Sequence, residues 1–214
     1  MAEDSADVVI EIGENEEGNM SPTTKFYAHY FILKRASPLL AELCKSSNDS
    51  PSRVQLSESP DNFKDMLRYN YGLEIPAFVN DPKRTKRIIE IANKYGVTNL
   101  KIEAEASYVS SLSLSLGNIA ELLFFAESMN CALLKEKALE FIVNNAVSVA
   151  EKKLLIDAPA SLYNDILLAT ALKNKTGENI DTMSVNELRR HSHQKELDID
   201  GTREMLIAGL QQQK

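Results

Sequence analysis

The chain has 214 residues, 43% of them hydrophobic, and 24 basic against 31 acidic side chains give it a net charge of -7. That length can bury one substantial core, or one core with small appendages. The charge excludes broad electrostatic capture of nucleic acid by the whole molecule and leaves only a local basic face open. Two cysteines, Cys44 and Cys131, stand far apart without metal-ligand spacing. They read as buried apolar residues of a cytosolic or nuclear chain rather than as a disulfide framework. The first residues, MAEDSADVV, are acidic where a signal peptide is basic, and no apolar run approaches the roughly 18 residues that cross a bilayer. Neither secretion nor membrane insertion is expected.

Asp7 is followed by the alternating run Val8, Val9, Ile10, Glu11, Ile12. Gly13 to Thr24, GENEEGNMSPTT, is too rich in glycine, proline and acid to bury apolar surface and reads as an exposed loop. Next comes FYAHYFILKRASPLL, Phe26 to Leu40. This segment resembles the signature of the BTB/POZ domain, whose role is protein recruitment. On that resemblance the Val8 run is the first strand, Phe26 to His29 the return strand, and Ile32 and Leu33 the core face of a helix. Ala36, Ser37 and Pro38 match the "aRSP" helix break, and His29 is expected to be buried.

A short strand is expected at Val54 to Leu56, then a helix opened by Ser59 as N-cap and Pro60 at its first position. Phe63, Met66, Leu67 and Tyr71 share its face. FKDMLRYNYGLEIP, Phe63 to Pro76, resembles the family's "F..lL.yiYtg.i." segment with Tyr71 and Gly72 at the matching helix end, and departs from it with Asn70 in place of an apolar residue. A polar link is expected from Asn80 to Lys86. After it Ile88, Ile91, Ala92 and Tyr95 recur at helical spacing, with Gly96 where a C-cap belongs. That run resembles the family's "ll.aAdkYgl..Lk..ce" ending, so the resemblance extends from Asp7 to Tyr108. The signature residues are Asp7, His29, Leu33, Ser37, Pro38, Tyr71 and Gly72.

Ile119, Leu122, Leu123, Ala126 and Met129, then Leu134, Ala138, Phe141 and Ile142, mark two helices, most simply packed antiparallel. Their order resembles the helical extension of MATH-BTB and BACK-containing adaptors. Lys152 to Leu172 adds one more helical pair, broken at Pro159. After a polar linker, Ser184 and Glu187 have capping-box spacing, and a second helix is expected near Thr202 behind the turn residues Asp200 and Gly201. This stretch resembles the SAP motif, a helix, turn and helix that binds duplex DNA. Its candidate DNA contacts are Arg189, Arg190, His193, Lys195 and Arg203. Residues 183–214 nonetheless carry five basic and five acidic side chains, so any DNA affinity is expected to be weak and salt-sensitive.

The expected architecture is therefore α+β: a BTB/POZ domain at 1–108, an all-α BACK-like extension at 109–173, a linker at 174–182 and a SAP-like helical pair at 183–214. The resemblance implies a protein-interaction module, with a cullin scaffold and an unknown protein substrate as partners in a cullin-RING ubiquitin ligase. Its alternative is a nuclear scaffold or transcriptional regulator tethered to DNA by the tail. Nucleus and cytoplasm are both open as locations. KSSNDSPSR, Lys45 to Arg53, lacks the apolar-x-Glu element that such adaptors carry there. Only six residues precede Asp7, where swapped dimers of the family place a helix, so a homodimer stays open. The run Lys83, Arg84, Lys86, Arg87 reads as a solvated loop and helix start, with a nuclear-import patch or an anion site as the sharper alternatives. His29, His191 and His193 form no metal or nucleophile constellation and there is no phosphate-binding glycine loop, so neither catalysis nor a cofactor is expected.

Overall fold

The computed structural model describes residues 5–13, 15–16, 19–20, 24–45, 51–74, 81–156, 158–173 and 180–212. The chain divides into two compact units, 1–107 and 108–214.

In the first unit, strands β1 (Val8–Ile12), β4 (Thr24–Ala28) and β5 (Ser52–Leu56) form one sheet in the order β4-β1-β5. Strands β2 (Asn15–Glu16) and β3 (Asn19–Met20) pair with each other, so a small hairpin lies within the expected loop. The central strand runs antiparallel to β4, with Ile10 opposite Phe26, and parallel to β5, with Ile10 opposite Val54. Val8, Val9, Ile10 and Ile12 are buried, so both faces of this central strand are covered. Glu11 is the polar exception, held by Lys25 at 3.3 Å on one side and Gln55 at 3.3 Å on the other. These partners keep its carboxyl below the usual range, the Gln55 amide contributing most.

Helices α1 (Tyr30–Ala36) and α2 (Pro38–Lys45) follow β4. The Asp7 carboxylate accepts the Tyr30 N–H at 2.7 Å, placing a negative charge at the positive end of α1. Between the helices Ser37 is fully buried; its hydroxyl donates to the Tyr95 carbonyl at 2.6 Å and accepts the Leu40 N–H at 3.3 Å. One serine thus caps α2 and ties the break to the backbone of Tyr95, while Pro38 takes the first helical position, where no N–H is needed. Leu33 is fully buried, as expected. His29 is only half-buried: its N–H donates to the Tyr71 hydroxyl at 2.9 Å, Nδ1 lies 2.7 Å from that oxygen, and Nε2 lies 3.0 Å from Ser5 Oγ. Such a polar ring needs these partners and gains nothing from deeper burial.

Helices α3 (Pro60–Asn70), α4 (Pro82–Tyr95) and α5 (Thr98–Ser111) complete this unit, whose boundary with the second falls inside α5. Phe63, Met66, Leu67, Ile88, Ile91, Ala92 and Tyr95 are buried, as their spacing requires. Two details differ from expectation. Ser59 makes no side-chain cap at α3. And α4 begins at Pro82, inside the expected polar link, because the Asp81 carboxylate accepts the N–H groups of Lys83 and Arg84 at 3.0 and 3.1 Å.

The second unit is helical: α6 (Ile119–Ser128), α7 (Ala132–Asn144), α8 (Ala146–Glu151), α9 (Ala160–Lys173), a 3-10 turn (Ile180–Thr182), α10 (Val185–Gln194) and α11 (Arg203–Gln211). The expected pair from Lys152 to Leu172 is one helix, α9, since α8 ends at Glu151 and Lys152 to Ile156 form turns. One core joins Ile119, Leu123, Ala138, Ile142, Val149, Leu155 and Leu162. A second joins Ala132 and Leu133 of α7 to Val185, Leu188, Leu206 and Leu210 of the tail. The tail helices therefore share their core with α7 instead of closing on themselves. Two short helices bury too few apolar side chains alone, and α7 offers a second apolar face at its start. Polar contacts fasten the same junction, where Glu136 on α7 accepts the Val185 N–H at 2.9 Å and Cys131 pairs with Gly201.

Candidate protein-docking surfaces

The α1–α2 hairpin leaves three large apolar side chains in solvent, Phe31 at 76%, Leu39 at 54% and Leu43 at 44% exposure. Amphipathic helices place such residues inward unless the outward face meets a partner. Beside Phe31 lies a cleft of about 550 Å³, bounded by the last turn of α1, the end of α3 and the start of α5. Ile32, Pro38 and Val97 supply apolar wall, while Arg35, Tyr69 and Asn70 supply polar groups. The Tyr69 hydroxyl donates to Glu103 at 2.7 Å, and burial pushes that phenol well above its usual range. Tyr71, also lining the cleft, is raised by burial although the bond from His29 N–H opposes it.

The ionic groups that sequence spacing did not reveal hold the scaffold behind these surfaces. Asp65, 3% exposed, receives the Arg84 guanidinium at 2.9 and 2.5 Å, which removes Arg84 from the basic run and leaves Lys83 and Arg87 as its exposed members. Glu58 accepts the Tyr95 hydroxyl at 2.9 Å and the Lys94 ammonium. In the second unit Lys135 sits between Glu127 and Asp165, 2.7 Å from each, tying α7 to α6 and α9. These partners hold the ammonium above its usual range against burial, the largest single influence, which works the other way. Residues 19 or 30 positions apart leave no periodic trace, so such pairs are invisible before the fold is known.

The candidate DNA contacts separate into two groups. Arg189 is 8% exposed and donates from Nε to the Ile199 carbonyl at 3.2 Å. Arg203 donates to the carbonyls of Asp181 and Met183, both at 2.8 Å. Both guanidiniums thus hold the tail together. Arg190, His193 and Lys195 are exposed on α10 and just beyond its end. Val147 of α8, Ile156 of the turn after it, and Leu167 and Leu168 of α9 are exposed, and Ile156 also lines a mostly apolar groove of about 430 Å³ with Ile142, Val149, Leu155 and Ile166.

Among the described residues, no three histidine, cysteine, aspartate or glutamate side chains cluster as metal ligands. Cys44 is a buried thiol, pushed up to about 11 by burial, with Asp7 adding to the rise, so its thiolate is scarce at neutral pH. No helix among these residues is long and apolar enough to cross a membrane.

Apolar side chains kept in solvent on a rigid, ion-paired scaffold define a protein-interaction module. Residues 2–112 match the family model of the BTB/POZ domain, and the chain belongs to that family. Its signature residues meet in one place: Asp7, His29 and Tyr71 around the start of α1, Ser37 and Pro38 at its end, and Leu33 in the core between them.

Proposed function

We propose that the chain is a substrate adaptor of a cullin-RING ubiquitin ligase, working in the nucleus or the cytoplasm and performing no chemistry itself. The observation that supports this reading is a BTB/POZ domain followed directly by an all-α segment, which we read as BACK-like. One surface would hold the cullin scaffold and another the substrate, raising the effective concentration of substrate lysines near the loaded ubiquitin-conjugating enzyme. Residues 46–50, within the segment that lacks the apolar-x-Glu element, lie outside the described residues. The exposed Leu39 and Leu43 of α2, with the helices after Ser111, would make up for it. The same apolar hairpin is open to a second copy of the domain.

The test is titration of the full chain with a purified cullin amino-terminal domain, beside a MATH-BTB adaptor as control. A dissociation constant of about ten micromolar or tighter is expected, lost when the chain ends at Ser111. Binding by the control and none by the full chain would replace the adaptor with a scaffold for another protein.

A second reading, a nuclear scaffold or transcriptional regulator tethered to duplex DNA by the SAP-like tail, is supported by the exposure of Arg190, His193 and Lys195. With Arg189 and Arg203 spent on carbonyls, only a weak contact is expected. Arg190→Gln with Lys195→Gln should then weaken binding to duplexes of different sequence equally and flatten its salt dependence.

A further inference from the structure

Helix α9 carries apolar side chains on two faces. On the inner one Leu162 lies in the core with Ile166 packed against it, and Asp165 pairs with Lys135. On the outer one Ala160, Tyr163, Leu167, Leu168 and Ala171 are exposed, Leu167 at 68% and Leu168 at 55%. None of the exposed residues from Ala160 to Ala171 is charged, although a helix facing solvent ordinarily carries its charges there, and an apolar face of this kind is normally covered. One turn back from Leu167, Tyr163 lines the apolar groove of about 430 Å³, together with Ile166, Val149, Leu155 and Ile156. Its hydroxyl donates to the Leu155 carbonyl at 2.6 Å, which pins the ring and shapes the groove before anything enters it. Lys153 is the charged residue of the lining, and Glu151 and Lys152 are exposed just before it. None of these three side chains has an ion pair among the described residues.

We infer that this face is an interface between two copies of the chain related by a two-fold axis. In such an interface each copy presents the same patch, which must therefore complement itself. A ridge and a groove side by side meet that condition: Leu167 and Leu168 of one copy enter the groove of the other, and symmetry supplies the reverse contact. The charges complement themselves as well, because Glu151 of one copy meets the lysine pair Lys152 and Lys153 of the other. Any other occupant needs an uncharged apolar ridge of the same kind, and this chain carries one beside the groove. The pairing is separate from the α1–α2 hairpin and stands without the ligase reading.

The test is sedimentation equilibrium of the full chain carrying Leu39→Glu and Leu43→Glu, which remove apolar pairing at the α1–α2 hairpin. A monomer–dimer equilibrium with a dissociation constant of about ten micromolar or tighter is expected. Adding Leu167→Glu and Leu168→Glu, both at exposed positions, should leave a monomer at about 200 micromolar with an unchanged circular dichroism spectrum. In the chain without the hairpin changes, the same two substitutions should lower the average mass, a readout independent of the hairpin variant. Glu151→Lys alone, and Lys152→Glu with Lys153→Glu alone, should each weaken the dimer about tenfold, and mixing the two variants should restore association. A monomer throughout would overturn the proposal and leave this face to a different protein. A dimer that survives Leu167→Glu with Leu168→Glu would overturn it by placing the contact elsewhere, and so would charge variants that associate no better mixed than alone.

Discussion

The two units end their helices by the same geometry with different residues. In the BTB/POZ unit α3 and α4 close on Gly72 and Gly96, with φ of 72° and 66°. In the second unit the same left-handed position is held by Asn130, Lys153 and Glu196, with φ of 52°, 52° and 57°. All five share one bonding pattern, as at Gly96, where Gly96 N–H reaches Asn93 and Val97 N–H reaches Ala92, and at Glu196, where Glu196 N–H reaches His193 and Leu197 N–H reaches Ser192. Glycine adopts this conformation without penalty, whereas a side chain pays about 1–2 kcal/mol for it. Local sequence therefore stops α3 and α4, whereas at Lys153 and Glu196 the rest of the fold must offset the cost of the helix end.

The sharpest way to break that comparison is to remove packing from the second unit. Leu188→Ala, at a fully buried position shared between the tail and α7, should cost about 2–5 kcal/mol. Hydrogen exchange should quicken in α7 as well as in α10 and α11; quickening confined to the tail would mean that the tail stands alone. Gly96→Ala comes next, with an expected loss of about 1–2 kcal/mol from the left-handed backbone. Its new methyl group would also sit 3.2 Å from Leu39 Cδ1. A denaturation midpoint equal to the parent's would show that the glycine is incidental. Glu196→Gly and Lys153→Gly should move the other way, each gaining about 0.5–1 kcal/mol, because relief of strain exceeds the added freedom of the unfolded chain.

The smallest effect concerns pH, at the start of α10, where two carboxyls have opposite shifts. Glu187 is lowered by its bonds from Ser184, so what it contributes is present above its ordinary 4.5 and is lost as pH falls through its folded value. Glu136 is raised by burial, so folding favours its protonated form and stability falls as pH rises from 4.5 through its folded value. Glu136→Gln should thus be more stable than the parent at neutral pH, with the difference closing below 4.5. Urea midpoints across that range measure it, and parallel curves for parent and variant would remove the assignment.

These helix ends also show what the amino-acid sequence makes legible. Gly96 and Gly72 announce their helix ends, and the spacing of Ile88, Ile91, Ala92 and Tyr95 gives the buried face of α4 directly. Ser184 and Glu187 form the full capping box that their spacing implies, and Thr202 caps α11 through the Met205 N–H. Lys153 and Glu196 gave no such notice, because charged residues ordinarily continue a helix. The tail looked separate because a polar stretch precedes it; the adjacent Leu133 and Leu134, which bury α7 on two sides, were the available hint of a shared core. At the end of α3, Asn70 stood out as a departure, but that its carboxamide is buried without a partner among the described residues became visible only in the fold.

The parallel pairing of β5 with β1 has a kinetic consequence. Glu11 meets Gln55 across 44 residues of sequence, whereas β4 returns to β1 across a single loop. Closing the longer loop costs more chain entropy before any contact rewards it, so the β1–β4 ribbon is expected to form first. Until α1 and α2 bring β5 home, the apolar run VVIEI shows one open edge, the kind of surface on which newly made chains stick to one another. During synthesis that edge exists from the emergence of Ala28 until the emergence of Leu56, a window that a chaperone or a slow ribosome would lengthen or guard.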